Sequence, residues 1–272
     1  MNYTATITGF AALAHDKAAH LRRDPLAFFV LAMMAGAYVG FGILLIFSVG
    51  QGVDPNIRPV VMGASFGLAL MLVIFAGSEL FTGHTMYMTL GVLTRTIRLS
   101  DMARCWGVSW IGNLIGATIL GLIFVYGGGG VILASDTVSF LHVVAEKKMQ
   151  SRPLALVLNG ILCNWLVCLA IWMAARNTSD IAKIVLIWFC LYAFIAAGFE
   201  HSVANMTIFS IALLSEHGPS ISMPGAAYNL LFVTIGNTIA GAGIMGAGYW
   251  VAAGRPSASN PSGDLQNRKP QK

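Results

Sequence analysis

The sequence predicts an all-α membrane protein in which six transmembrane helices form two inverted three-helix repeats, with the second and fifth helices broken. Three observations predict it. Only 10% of the 272 residues are charged and 57% are hydrophobic. A soluble domain carries about 25% charged residues, so lipid must solvate much of this chain. The charges that exist gather between long uncharged runs. Two of those runs are too long for one span, carry a glutamate near the middle, and match each other in sequence.

Residues 1–25 come first. Ile7, Phe10, Leu13 and Leu21 recur there at loose helical spacing, which predicts an interfacial helix on the cytoplasmic face. The transmembrane domain is expected over 26–252, with repeat one at about 26–126 and repeat two at about 154–252. The runs 26–49, 106–126, 154–175 and 226–252 each supply the roughly 20 apolar residues that a span needs. The first is too long for the core of a signal peptide. Residues 253–272 are rich in Ser, Asn, Pro, Gly and charge and read as a disordered cytoplasmic tail.

Residues 60–94 and 184–214 behave differently. Each exceeds thirty residues, long for a straight helix rising about 1.5 Å per residue. The first contains Gly77-Ser78-Glu79-Leu80-Phe81-Thr82-Gly83-His84-Thr85, the second Gly198-Phe199-Glu200-His201-Ser202-Val203-Ala204-Asn205-Met206. Glu79 and Glu200 are the only acids inside the predicted spans. An ionisable group at that depth is costly and faces a bundle interior or a wet cavity. Two roles are open to each glutamate: a function in a solute path, or a bond to backbone N–H groups freed at a break. Either requires a break, which lipid tolerates only inside protein or beside water.

The two long runs are landmarks of a repeat. Gly36-x-x-x-Gly40 in the first span answers Gly160-x-x-x-Asn164 in the fourth, and Gly112-Asn113 in the third answers Gly236-Asn237 in the sixth. Gly36 precedes Glu79 by 43 residues, and Gly160 precedes Glu200 by 40; Asn113 follows Glu79 by 34, and Asn237 follows Glu200 by 37. Three spans per half is an odd number, so the halves enter the membrane from opposite faces, and solute sites belong at their interface. Of the sixteen Lys and Arg residues, twelve fall on one side and four (Arg58, Lys147, Lys148, Arg152) on the other. Both termini are therefore expected to be cytoplasmic. The same asymmetry accounts for the net charge of +5 without nucleic acid, since the chain has no basic soluble domain. Cys105, Cys163, Cys168 and Cys190 lie in or at the start of apolar spans and read as reduced packing residues.

His201 is the sharpest candidate for chemistry. It follows Glu200 at the second break, where an imidazole can give a hydrogen bond or a proton to a small anion, or can hold a backbone carbonyl. Thr82 can bond a solute, hold His201 across the interface, or cap its own loop. His84 and Asn205 occupy matching places and read as break-stabilising residues. Lys147 and Lys148 lie on the side poor in basic residues and can draw anions to that mouth, or can be solvated loop charges.

Gly77–Gly83 and Gly198–Met206 resemble the two signature segments of the formate/nitrite transporter family, and Cys163-Asn164-Trp165-Leu166-Val167-Cys168 resembles a third. The likeness covers about residues 1–252, and the Gly83-His84-Thr85 run is closer to the nitrite branch. The resemblance implies an aquaporin-like fold and a homopentamer in the bacterial inner membrane with one pore per subunit. It implies no cofactor and no enzymatic activity. Nitrite and related monovalent anions would be the cargo, with formate or another short monocarboxylate as the alternative. By position in the motifs, Leu70 and Leu80 would form the cytoplasmic constriction, and Phe66 and Phe194 the periplasmic one, with Val167 nearby. His201 would be central, Thr82 would sit on an omega-shaped loop, and Asn164, Lys148 and Glu200 would shape the electrostatics.

Two other classes fit parts of this pattern. A neutral-solute channel fits an inverted repeat, but the chain has no Asn-Pro-Ala pair at its breaks. An intramembrane metalloenzyme could use Glu79, His84, Glu200 and His201, but there is no His-Glu-x-x-His run.

Overall fold

A computed structural model of the chain describes residues 3–134 and 139–257. The described chain is helical throughout. In order it forms α1 (Tyr3–Arg23), α2 (Pro25–Gly50), α3 (Arg58–Ala76), α4 (Phe81–Leu93), α5 (Leu99–Tyr126), α6 (Gly130–Leu133), α7 (Phe140–Met149), α8 (Pro153–Ala175), α9 (Asp180–Ala196), α10 (Ser202–Leu214) and α11 (Met223–Thr238). The last helix continues as a π-helical stretch, Ile239–Ala247, and ends in α12 (Gly248–Ala252). Among the described residues, α2, α3, α5, α8 and the continuous run Met223–Ala252 are long and apolar enough to cross a membrane. The other long apolar segment is divided into α9 and α10.

Polar punctuation sets the starts of these helices. Asp24 caps α2 by accepting from Ala27 N at 2.9 Å, and Pro25 follows where no donor is needed. Ser179 and Ser222 cap α9 and α11 in the same way. α5 begins at Leu99, ahead of the apolar run at 106, because Asp101 accepts from Arg98 N at 3.1 Å and from the Arg22 guanidinium at 2.6 Å. The polar first turn thus extends the helix beyond its hydrophobic length.

Both long runs break where expected. Gly77 ends α3 with φ 73°, and Gly198 follows α9 with φ 74°. That left-handed conformation is easy only for glycine. Nothing lies within 4 Å of a Cβ at either position, so the requirement is one of backbone angle rather than space. Elsewhere glycine is needed for contact. A Cβ on Gly36 would collide with the Asn113 carbonyl, one on Gly116 with the Met33 carbonyl, and one on Gly236 with the Val157 carbonyl. These contacts bring α2 against α5 and α8 against α11, the close packing that membrane helices achieve through small residues.

The two short half-helices exchange places. α10 packs against α2 and α5, and α4 packs against α8 and the π-helical stretch. Gly241 lets that stretch approach, since a Cβ there would strike the Thr85 hydroxyl. π-helical widening was not legible beforehand. It occurs in a glycine-rich segment where backbone bulges cost little side-chain packing.

α1 does more than lie at an interface. Its apolar face, including Ile7, Phe10, Ala14 and Leu21, is buried against the protein. Phe10 stacks on Tyr87 at 6.3 Å and on Trp172 at 5.6 Å, tying α1 to α4 and α8. On the opposite face, α7 carries Lys147 and Lys148 in its last turn. The expected tail falls mostly on 258–272, outside the described residues; Trp250 donates to the Pro256 carbonyl at 3.0 Å just before it. All four cysteines are free and buried.

Candidate functional site

Each break is held by one asparagine from the next full span, α5 for the first and α11 for the second. Asn113 accepts from Phe81 N at 2.9 Å and donates to the Glu79 carbonyl at 2.9 Å and the Ala32 carbonyl at 2.7 Å. Asn237 accepts from Ser202 N at 2.9 Å and donates to the Glu200 carbonyl at 3.0 Å and the Gly160 carbonyl at 2.8 Å. The glutamate N–H groups donate to the Leu31 and Asn159 carbonyls. A buried backbone group without a partner is costly, and here a primary amide supplies both donor and acceptor at each break.

The glutamate side chains are satisfied by equally matched sets. Glu79 accepts from Lys17 Nζ at 2.5 Å and bonds His84 Nε2 at 2.9 Å. Glu200 pairs with Lys148 Nζ at 2.8 Å and accepts from Asn205 Nδ2 at 2.6 Å. His84 and Asn205 thus do stabilise the breaks, each five residues after its glutamate. Asn205 also donates to Asn229 Oδ1, and Asn229 donates to the Lys148 carbonyl.

Lys17 was not legible as a site residue. The available signal was symmetry: if Glu200 draws a lysine from outside the repeat, Glu79 needs one too. Removing one partner of a buried pair costs more than the pair contributes. Lys17→Met is therefore expected to lower stability by about 1–3 kcal/mol, discounted because Lys17 is partly exposed and His84 remains. Adding Glu79→Gln should recover much of the loss. Thermal unfolding in detergent followed by tryptophan fluorescence reads both changes, and an unchanged Tm for Lys17→Met would refute the role.

His201 sits at the N-cap of α10, where its Nδ1 accepts from Ala204 N at 3.1 Å. An accepting Nδ1 leaves the proton on Nε2, and Nε2 faces Thr82 Oγ1 at 3.1 Å. The neutral ring therefore donates to Thr82, and the Thr82 hydroxyl proton is free to turn toward an acceptor. Thr82 lies in the first turn of α4, so this one bond spans both breaks.

Around His201 the protein narrows to a void of about 10 Å³, lined by Phe66, Leu70, Leu80, Val167, Phe194 and His201 together with Val39, Ala69 and Leu191. That is about the space of one water at most. Phe66 and Phe194 meet edge to face at 5.4 Å, and Phe194 stacks on the His201 ring at 6.0 Å. Leu70 and Leu80, expected at one constriction, and Phe66 and Phe194, expected at another, line this same void with Val167 and His201. Val39, Ala69 and Leu191 were missed, although Val39 and Leu191 each lie one helical turn from a marked residue, Gly36 and Phe194, and Ala69 adjoins Leu70.

Asn164 lies elsewhere. It is fully buried, and its amide donates to the Asn237 carbonyl at 2.6 Å, Thr85 Oγ1 at 3.0 Å and the Thr82 carbonyl at 3.3 Å. It joins the first break to the last helix and does not line the void.

From the α7 face a vestibule of about 520 Å³ leads to His201, with Lys147, Lys148 and Glu200 among its walls. A larger groove of about 1190 Å³ runs along α5 and α11 past Trp106, Ile111 and Leu231 and reaches neither glutamate nor His201. The paired Glu79–His84 and adjacent Glu200–His201 belong to separate breaks, and among the described residues no three His, Cys, Asp or Glu are grouped to hold a metal ion.

Comparison with known proteins adds four findings. Residues 7–251 match the family model described as Formate/nitrite transporter. The nitrite transporter NirC of Escherichia coli (strain K12) is 49% identical over 266 residues, covering 98% of this chain and 97% of that protein. A solved structure described as an FNT family ion channel superposes with a TM-score of 0.89 at 51% identity, covering 92% of this chain and 99% of that one. A pentameric formate channel with formate bound superposes with a TM-score of 0.71 at 26% identity, covering 83% and 96%.

Proposed function

The chain belongs to the formate/nitrite transporter family, and we propose that it is a channel for small monovalent anions, nitrite foremost, in a bacterial inner membrane. The observation that carries this reading is the narrow void. Its lining is apolar except for His201, and His201 is bound to Thr82 across the two breaks. A bare anion loses its hydration in such a ring at large cost. A hydrogen bond from Thr82, which is oriented by His201 and stands behind the lining, or a proton passed on by the imidazole while it is transiently protonated, offsets that cost at the narrowest point. The void is too small for nitrite as it stands, so Phe66, Phe194 or Leu80 must turn aside during passage.

The Lys and Arg distribution supports cytoplasmic termini, with α1 on the cytoplasmic face and the vestibule on the periplasmic one. The likeness to a pentameric formate channel supports a homopentamer. Formate is the alternative cargo, favoured by the same likeness; the near-half identity with a nitrite transporter over nearly the whole chain favours nitrite.

The test is flux of nitrite against formate into proteoliposomes at pH 7 and pH 5. Faster nitrite passage that changes with pH is expected. Preferred formate would overturn the choice of anion, and absence of any anion flux would overturn the channel reading.

A further inference from the structure

The vestibule on the α7 face has two walls, and only one of them was marked in the sequence. α7 carries Lys147 and Lys148; the other basic part of the lining is the first turn of α3, whose first residue is Arg58. Arg58 does not wave in solvent. Its Nε and Nη2 donate to the Val53 carbonyl at 3.2 and 2.8 Å, and its guanidinium carbon lies 4.2 Å from the centre of the Phe140 ring. A carbonyl and an aromatic face hold a guanidinium without neutralising it. No ion pair to Arg58 occurs among the described residues. Of the five N–H groups of a guanidinium, two are used here and three remain.

The charges of the vestibule do not cancel. Its lining holds Arg58, Lys147 and Lys148 against one acid, Glu200, and Glu200 is already paired with Lys148 at 2.8 Å. Lys147 is exposed and, like Arg58, has no carboxylate partner among the described residues. The nearby acids Asp54 and Glu146 are not among the lining residues: Asp54 caps its own turn at Asn56 N, and Glu146 accepts from Gln150. Two uncompensated cations therefore line one vestibule whose lining also includes Phe194 and His201.

We propose that Arg58 and Lys147 form an anion-docking site at this mouth, in which the Arg58 fork takes planar two-oxygen anions such as nitrite or a short carboxylate. A planar guanidinium matches two adjacent oxygens and offers a spherical halide no such advantage. The site concentrates cargo ahead of the constriction and favours it over chloride before the anion reaches His201. It rests on the reading of the protein as an anion channel and adds the residues that capture the anion from one side.

The two sides provide the test. The last described helix, α12, lies with α1, since Tyr249 packs on Tyr3 at 5.8 Å, so a cleavable tag fused after α12 reports which face of the protein points outward in a proteoliposome. Nitrite influx is measured from each face at low and high ionic strength, with chloride as competitor. For influx from the α7 face at low salt, Arg58→Gln should raise the half-saturating nitrite concentration roughly 3–10-fold. It should also make chloride a stronger competitor. Arg58→Lys should recover the affinity in part but not the preference over chloride. Lys147→Gln should act in the same direction, and it carries the test alone if Arg58→Gln does not fold. High salt should shrink these differences. Equal loss from both faces would mean a structural lesion and would overturn the proposal, as would influx from the α7 face that is unchanged in both variants. Both results presuppose that the parent protein passes nitrite; if it does not, the channel reading itself has failed.

Discussion

Replacing Asn237 with alanine is expected to cost roughly 2–6 kcal/mol and to leave little folded protein. The side chain is fully buried and serves the second break at both ends. Without it the Ser202 N–H and the Glu200 carbonyl lose their partners in a place that water does not reach freely. Each buried group left unpaired costs about 1–3 kcal/mol, and total stability is only about 5–15 kcal/mol. Asn113→Ala should do the same at Phe81 N and the Glu79 carbonyl. Asn237→Asp keeps the acceptor for Ser202 N but turns a buried carboxylate oxygen toward the Glu200 and Gly160 carbonyls, so at neutral pH it should be no more stable than the alanine variant. The measurements are Tm in detergent and recovery of folded protein by size-exclusion chromatography. A Tm within a few degrees of the parent for both alanine variants would show that the breaks are held by something other than these amides.

Nitrite flux through His201→Ala is expected to fall about 10–100-fold and to lose its pH response. The figure follows from one hydrogen bond to an anion, worth about 1.5–3 kcal/mol, at about 1.4 kcal/mol per tenfold in rate. The substitution removes the ring that orients Thr82 and the cap that accepts from Ala204 N. Thr82→Val should reduce flux comparably while leaving that cap in place, so the two variants together separate donation to the anion from support of α10. Phe194 stacks on His201, so alanine also opens space at the constriction. Faster flux in His201→Ala would mean that the ring acts as a plug. Unchanged flux with unchanged pH dependence would remove His201 from the mechanism altogether.

Much of the site was legible because its residues follow the repeat. Glu79 and Glu200 stand out as acids in apolar runs, Gly77 and Gly198 mark the turns, and Asn113 and Asn237 recur at nearly equal distances. Phe66, Leu70, Leu80, Val167 and Phe194 were placed through motif resemblance, and the structure brings them around one void. Asn164 was placed the same way and stands behind the lining, bonded to backbone.

The sequence by itself determined the apolar spans, the two broken segments and their symmetry. Lipid as solvent forces uninterrupted apolar runs, and every exception to them must be functional or structurally compensated. Only the tertiary structure decided which side chains come together: Lys17 with Glu79, Thr82 with His201, and Arg58 with Lys147 in the lining of one vestibule. The physical reason is that a helix apolar on all sides carries no periodic mark of which face looks inward. Its rotation and depth are set by close contacts with other helices, such as Gly36 on Asn113 and Gly241 on Thr85, and those contacts exist only once the whole bundle has packed.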